Sequence, residues 1–220
     1  MCWIFGALWA AALVGVVFGD PVVGPSVFHD AETGFTFSSY SVAYNLNSAI
    51  TFRIAVPSPV TSNTPYDAVL QVVAPIDVGW TALAWGGQML YNPLGVSWAN
   101  GNNVVVSSRY TTEHSQPPTY SGAKYIVFKT GTHVNRTHFQ YTAKCTGCTT
   151  FTSSGGTPTT LNPTGTNRFA FAYASTKPSN PSSNLSSLVV HDVYSYWSHD
   201  FSTGANAAFA SLAAKNLGSP

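Results

Sequence analysis

Charged residues are scarce in this 220-residue chain, which has only nine Lys and Arg and eight Asp and Glu. The formal net charge is +1 at pH 7. With no basic or acidic surplus, there is no electrostatic basis for binding nucleic acid or an anionic membrane surface. The shortage of carboxylates also disfavours a glycosidase site, which requires a pair of them.

Common catalytic motifs are missing as well. The sequence has no GxSxG, HExxH or P-loop pattern, and no GxGxxG after a strand. The six histidines are scattered along the chain. Removal of the apolar N-terminal segment, residues 1–19, would leave Asp20 as the first residue. A copper monooxygenase that uses its terminal amine requires histidine at that position. No motif therefore assigns an enzyme class.

Long apolar runs are confined to the N-terminus. Residues 1–19 read MCWIFGALWAAALVGVVFG, which predicts a secretory signal peptide cleaved near Gly19. A membrane anchor is the alternative, but a spanning helix needs about 20 apolar residues. No later stretch is apolar enough to span a bilayer, so we expect a mature chain that is secreted and extracellular, with no membrane contact after signal removal.

Cysteine is rare, and its placement agrees with export. Cys2 lies in the predicted signal peptide, which leaves Cys145 and Cys148 as a pair. In an oxidising compartment we expect them to form one small disulfide loop. A redox-active CxxC is the alternative, although no βαβ pattern surrounds it. Thr149 stands where covalent c-type haem attachment requires histidine. Two sequons, at Asn135 and Asn184, predict N-glycosylation.

The mature sequence consists mainly of short apolar or alternating runs separated by Gly, Pro and Asn. This pattern predicts an all-β fold, a two-sheet antiparallel sandwich of the immunoglobulin-like kind. Ala205–Lys215, rich in alanine, predicts one short C-terminal helix. Residues 149–166 and 177–187 are expected to be loops, the first of them a long hairpin. The predicted strands are 50–56, 69–74, 80–85, 104–110, 125–129, 138–144, 169–173 and 188–197.

Two residues outside these patterns are candidate metal ligands. Met89 is the only methionine left after signal removal, and it follows Gly86-Gly87, where the backbone can turn sharply. His191 lies in Val189-Val190-His191-Asp192-Val193-Tyr194. Taken alone, a single Met is more often a core gap-filler, and a strand His is more often hydrogen-bonded to backbone. The residues by themselves leave both interpretations open.

Four segments occur together in one order: Gly86-Gly87-Gln88-Met89, Gly95–Asn102, Cys145-Thr146-Gly147-Cys148 and His191-Asp192-Val193-Tyr194. In this combination the chain resembles the haem-binding cytochrome domain of fungal cellobiose dehydrogenase, within the wider DOMON group. The resemblance runs from about Phe28 to Phe201. It implies a cytochrome domain over residues 20–217, with residues 218–220 as the start of a linker.

The resemblance implies a non-covalent haem b with Met89 and His191 as axial ligands. Met/His ligation raises the reduction potential, and six-coordination suits electron transfer. It further implies that Trp98 lies near the haem edge, that Tyr194 flanks the haem, and that Arg109 offsets propionate charge. His114 stands where relatives often have Tyr, so its titration would couple the potential to pH. If the last strand is regular, Val193, Ser195 and Trp197 share the face of His191.

We therefore expect an extracellular electron-transfer domain that is not itself an enzyme, and that is a monomer. Its expected partners are a flavin-dependent dehydrogenase as donor and a lytic polysaccharide monooxygenase as acceptor, with polysaccharide as a further partner. The alternative is a non-redox carbohydrate-binding module with Tyr91, Tyr110 and Tyr120 as exposed platforms. A third interpretation is a sensory DOMON domain that binds a ligand without Met/His haem ligation.

Overall fold

The computed structural model describes residues 24–61 and 63–218. The predicted signal peptide and the last two residues of the predicted linker lie outside this range. The expected two-sheet antiparallel sandwich is confirmed. The strands are β1 Gly24–His29, β2 Thr36–Asn45, β3 Ser48–Pro57, β4 Ala68–Pro75, β5 Trp80–Ala84, β6 Leu94–Asn100, β7 Asn103–Arg109, β8 Lys124–Val127, β9 His133–Val134, β10 His138–Thr146, β11 Thr150–Thr152, β12 Pro158–Thr160, β13 Thr166–Ala174, β14 Val193–Asp200 and β15 Ala205–Asn206.

The larger sheet has eight strands in the order β1-β2-β3-β4-β10-β8, with β15 paired to β3 and β9 paired to β10. All its main pairings are antiparallel, and only β15 runs parallel to its partner. Helix α1, Phe209–Leu217, packs on this sheet through Phe209 and Ala213, which join a cluster with Phe35, Phe37 and Phe128. Gly218 ends the helix in the left-handed conformation that favours glycine.

The smaller sheet has five strands in the order β14-β13-β5-β6-β7, all antiparallel. The main core lies between the two sheets. Its residues from the large sheet include Phe52, Leu70 and Tyr141, and those from the small sheet include Trp85, Phe169 and Trp197. A second, separate cluster lies on the outer face of the small sheet.

Alternation locates most of the strands but not all of them. It does not identify β1, β2 or β6. In β6, Gly95 interrupts the apolar pattern because the ring of Tyr125 packs against it, so that a Cβ at Gly95 would lie 2.5 Å from the Tyr125 hydroxyl oxygen.

The hairpin predicted within 149–166 is confirmed as β11–β12. The helix begins later than expected, at Phe209, because Ala205 and Asn206 pair with β3.

The last strand also begins later than the sequence predicts. Residues 188–192 are irregular and β14 starts at Val193, so His191 precedes the strand. The predicted face assignment is wrong for this reason: Trp197 faces the core between the sheets, and Tyr194 and Tyr196 lie on the exposed side.

Cys145 and Cys148 form the predicted disulfide, with both side chains buried at the end of β10. In the part of the chain that the structure describes, no helix is both long and apolar enough to cross a membrane.

Candidate functional site

Four alanines line the centre of the outer face of the small sheet. Ala84 lies opposite Ala170, and Ala82 lies opposite Ala172, on the adjacent strands β5 and β13. Three of the four are buried and Ala172 is half-buried. Because alanine projects only a methyl group, these four residues, here called the alanine floor, leave a recess where larger side chains would fill the sheet surface.

Larger side chains surround the floor. Continuing the register outward places Leu94 and Val96 of β6 on one side, and Tyr196 and Tyr194 of β14 on the other. Trp80 and Trp98 belong to the same outer cluster, and Met89 and Leu188 pack against it. The floor is therefore an apolar recess with aromatic side chains at its margin.

Met89 lies at the β5–β6 end of the floor, in the connection between these strands. Gly87 has φ +81°, and a Cβ there would lie 2.4 Å from Arg168 Cγ, so only glycine fits. The buried Asn92 accepts a hydrogen bond from the Gln88 N–H (3.1 Å) and braces the turn. β5 thus ends at Ala84 and continues directly into a turn that holds Met89 against the outer cluster.

His191 lies at the opposite end of the floor. It precedes β14, close to the end of β13 where Ala174 pairs with Trp80. Its ring contacts Tyr194 edge to face, with centroids 5.1 Å apart. The next residue, Asp192, is fixed twice: its N–H donates to the Tyr173 carbonyl (2.7 Å), and its carboxylate accepts from the Ser175 N–H and hydroxyl (2.7 Å each).

These two hydrogen bonds from Ser175, the backbone one first, hold the pKa of Asp192 below its ordinary value. The carboxylate therefore stays ionised to a lower pH than that of an ordinary aspartate. Asp192 thereby anchors the backbone beside His191.

The histidines differ in the polar contacts that their rings make. His29, His133, His138 and His199 each contact a hydroxyl or a carboxylate. Among the described residues, no hydrogen bond is made to the ring of His191 or to that of His114, which is exposed. The His191 imidazole is half-buried next to an apolar recess, and a neutral imidazole nitrogen is a common metal ligand.

Trp98 and Arg109 lie on the β6–β7 side of this face, and both contact residues 175–192, here called the covering loop. Trp98 Nε1 donates to the Pro181 carbonyl (2.8 Å). Arg109 is 2% exposed, and its guanidinium donates to the carbonyls of Asn184 and Ser186 (2.8 Å each). The role of Arg109 opposite a propionate stays a prediction; its observed partners are backbone carbonyls.

Tyr194 is 57% exposed and lies beside His191. His114 is exposed, in the connection that follows Thr111. That connection meets the Met89 turn, since the Tyr91 N–H donates to the Thr111 carbonyl (2.8 Å). The structure thus brings Met89, Trp98, Arg109, His191 and Tyr194 to one face, with His114 on an adjoining loop.

Sequence reasoning missed the alanine floor and Arg168. The Ala-x-Ala spacings in β5 and β13 are visible in the sequence, but their meaning depends on the two strands being neighbours. Arg168 shares a face with Ala170 and Ala172, and it lies over the Tyr196 ring at 5.1 Å. It therefore adds a cation at the Met89 end.

The three tyrosines considered as a sugar platform come together only in part. Tyr110 and Tyr120 stack with centroids 4.8 Å apart, and all three, including Tyr91, are half-buried. Both sequon asparagines, Asn135 and Asn184, are exposed.

The donor set fits a haem better than a polar metal site. Within the described residues, no three His, Cys, Asp or Glu side chains group as a metal site. What the outer face offers is an apolar recess with one thioether and one imidazole at opposite ends. Cys145 and Cys148, which lie in the core at the end of β10, are joined to each other, so neither can form a thioether bond to a cofactor.

Comparison with known proteins identifies the family of this chain. Residues 28–211 match the family model described as the cytochrome domain of cellobiose dehydrogenase. The chain is 32% identical over 186 residues to a pyrroloquinoline quinone-dependent pyranose dehydrogenase of Coprinopsis cinerea. That match covers 83% of this chain but only 24% of the relative, so the chain spans about a quarter of that protein.

Two solved structures are similar in fold. The cytochrome b domain of pyranose dehydrogenase from Coprinopsis cinerea has a TM-score of 0.76 and 25% identity, and the match covers 90% of this chain and 98% of that one. The cytochrome domain of Myriococcum thermophilum cellobiose dehydrogenase has a TM-score of 0.78 and 22% identity, and the match covers 89% of this chain and 98% of that one.

Proposed function

Because the chain belongs to the family of cellobiose dehydrogenase cytochrome domains, we propose that it is an electron-transfer domain in which Met89 and His191 hold the iron of a non-covalent haem b. The observation that carries this proposal is the placement of a thioether and an unpaired imidazole at opposite ends of the alanine floor. When bound, the haem supplies one-electron chemistry through its iron.

The two ligands explain why the domain would carry electrons and not activate oxygen. Met89 and His191 would both bind the iron, and this would leave it no open position for oxygen or a substrate. The neutral thioether of Met89 raises the reduction potential relative to a second nitrogen ligand. The outer cluster, to which Trp98 belongs, packs against Met89 and would surround that ligand with apolar side chains.

The other residues of this face have supporting roles. The alanine floor leaves room for the porphyrin, and Tyr194 packs beside the His191 ring. We propose that Arg168, exposed at the Met89 end, offsets propionate charge, a role that the family resemblance implies for Arg109. Non-covalent attachment is supported by the disulfide, which leaves Cys145 and Cys148 without a free thiol.

The proposed electron donor is a dehydrogenase with an organic cofactor. The resemblance to cellobiose dehydrogenase suggests a flavin, whereas the Coprinopsis relative is named as a pyrroloquinoline quinone enzyme. The proposed acceptor is a lytic polysaccharide monooxygenase acting on a plant polysaccharide. Uncharged exposed side chains beside the site, Val190 (83% exposed) and Tyr194, suit short-lived contact with either partner. We propose a secreted monomer, glycosylated at Asn135 and Asn184.

An absorption spectrum of the secreted protein, oxidised and then reduced with dithionite, tests the proposal. We expect a sharp Soret band and split α and β bands on reduction, as six-coordinate low-spin haem b gives. Met89→Ala and His191→Ala should each abolish this low-spin spectrum. His138→Ala is the matched control, because that histidine is exposed on the other sheet and its loss should leave the spectrum unchanged.

A colourless protein that takes up no added haemin would overturn the proposal. If that protein bound insoluble polysaccharide, and binding fell in Tyr110→Ala, the carbohydrate-binding alternative would become the better account. The specific observation in favour of that alternative is the stacked Tyr110–Tyr120 pair.

A further inference from the structure

We infer that Arg109 is a positioning residue that clamps the covering loop to the small sheet and thereby fixes His191 for iron ligation. This inference rests on the proposed function and deepens it. It assigns Arg109 a task different from the one opposite a propionate that the family resemblance implies.

The covering loop connects two strands that are direct neighbours. It leaves β13 at Ala174 and enters β14 at Val193, and these two strands pair along their whole shared length. In between, it reaches Trp98 of β6 and Ser107 and Arg109 of β7. Since the strand order is β14-β13-β5-β6-β7, the loop contacts the opposite edge of the sheet before returning to place His191.

Four hydrogen bonds hold the far part of the loop to the sheet. Trp98 donates to the Pro181 carbonyl (2.8 Å), and the Ser107 hydroxyl donates to the Asn184 carbonyl (2.6 Å). Arg109 Nη2 donates to the carbonyls of Asn184 and Ser186 (2.8 Å each). Arg109 thus supplies two of the four bonds.

Arg109 also supports its neighbours. Its Nε donates to the Ser107 hydroxyl oxygen (2.6 Å), and its Nη1 donates to the Pro117 carbonyl (3.0 Å). One guanidinium therefore ties together β7, the connection that carries His114, and the covering loop. The planar, forked geometry of arginine permits this, whereas the single ammonium of lysine cannot reach all these acceptors at once.

The charge of Arg109 is buried and has no carboxylate partner among the described residues, whose two ion pairs are Lys144–Asp67 and His133–Glu32. Burial lowers the pKa of Arg109. A buried cation is costly unless hydrogen bonds compensate for its lost hydration. Backbone carbonyls are the main acceptors of the Arg109 guanidinium. We infer that its burial serves to hold the covering loop.

The clamp matters for His191 because, beyond the Ser179–Ser187 hydrogen bond (3.1 Å) and the packing of Leu188 on the outer cluster, few contacts hold the segment that leads to it. Hydrogen bonds from Ser175 to Asp192 close the base of the covering loop, where it meets β13 and β14. Arg109 holds the far part of the loop. Residues 187–191 between them are irregular, and Val189 and Val190 are 42% and 83% exposed. Releasing the far part lengthens the free segment and increases the number of conformations in which the His191 ring misses the iron.

The test compares Arg109→Met with Arg53→Met. Arg53 is the matched control: it is a half-buried arginine on the other sheet, where it donates to Gln71 (2.6 Å) and lies 3.5 Å from the Phe28 ring centroid. The rate of haem transfer to an apo-globin acceptor measures ligand retention, and the low-spin fraction of the spectrum measures axial ligation. Hydrogen exchange of residues 177–191 in the haem-free protein measures the clamp directly.

We expect Arg109→Met to release haem about 10–100-fold faster, as is typical when the support of a metal ligand is removed, with a lower low-spin fraction and faster exchange in residues 177–191. Arg53→Met should change the haem transfer rate by less than about threefold. If Arg109→Met fails to fold, Arg109→Lys, which keeps the charge, should give an intermediate rate.

Unchanged transfer and spectrum in both Arg109 variants would overturn the inference, as would an equal effect in Arg53→Met, because the effect would then be general destabilisation. A wild-type protein without haem would overturn the proposed function itself. Accelerated exchange in residues 177–191 on replacing Arg109 would in that case still identify the clamp as a loop anchor.

Discussion

At the scale of single residues, the surroundings of a histidine decide its chemistry. His199 is 2% exposed, and both its ring nitrogens have partners: Nε2 contacts the Ser38 hydroxyl (2.6 Å) and Nδ1 accepts from Trp197 Nε1 (3.0 Å). Burial lowers the pKa of His199 to about 4. This histidine joins the two sheets as a neutral structural group, whereas His191 is unpaired and available as a ligand.

The low pKa of His199 predicts acid sensitivity. Protonation favours the unfolded chain, whose histidine has a pKa near 6.5, so the contribution is complete above that value and is lost as pH falls toward 4. The loss should reach about 3 kcal/mol of unfolding free energy. Denaturant titrations from pH 7 to 4 measure it. His199→Gln should flatten this dependence relative to wild type, and parallel curves for the two proteins would contradict the assignment.

At the scale of secondary-structure elements, the recess is a property of two strands. In β5 the residues facing outward are Ala82 and Ala84, and in β13 they are Ala170 and Ala172, while Leu83, Phe169 and Phe171 face the core. Apart from Trp80 and Arg168 toward their ends, the two strands are thus bulky on the core side and small on the outer side. This is the part of the sheet surface on which we propose that the haem binds.

Filling the recess should block the ligand without unfolding the protein. We expect Ala172→Leu to weaken haem binding by about 10-fold or more, because its added carbons occupy the space above the floor and overpacking costs about 1–3 kcal/mol. Haemin titration measures the affinity and thermal unfolding measures the fold. Ala49→Leu, at a half-buried alanine on a strand of the large sheet, should leave haem affinity unchanged. Equal affinity in both variants would mean that the haem does not lie on the floor.

At the scale of the whole molecule, the two sheets have different tasks. The outer face of the large sheet is partly covered by α1, whose Phe209 packs against Phe35 with ring centroids 5.5 Å apart. The outer face of the small sheet is crossed by the covering loop and retains the recess. A helix thus covers part of one outer face, and the proposed haem site lies on the other.

A cofactor held by the folded state alone must raise the stability of the whole domain. At a free haem concentration 100 times the dissociation constant, the gain is about 2.7 kcal/mol. For a domain of this size we expect the unfolding midpoint to rise by roughly 5–10 °C. Calorimetry with and without haemin measures the rise. The double variant Met89→Ala/His191→Ala should gain less than about 2 °C, and an equal rise in both proteins would indicate non-specific haem binding.

The family and most of the architecture could be read from the sequence. Alternating apolar residues are a local property of a strand, so the strands around residues 50, 70, 140 and 170 were predictable. The four short motifs, in their order, indicated the cytochrome family and named Met89 and His191 as candidate ligands. The disulfide was predictable because Cys145 and Cys148 are the two cysteines left after signal removal, and an oxidising compartment favours their pairing.

Only the tertiary structure decided how these parts form a site. The alanine floor joins strands about 90 residues apart, and its register depends on cross-strand pairing that no local pattern specifies. The same holds for Arg109, whose partners in the covering loop lie more than 70 residues away. The faces of the last strand were also decided there, because the loop fixed by Arg109 and Asp192 delays the start of β14 until Val193. Local sequence sets which residues can face outward, and long-range packing sets which of them meet.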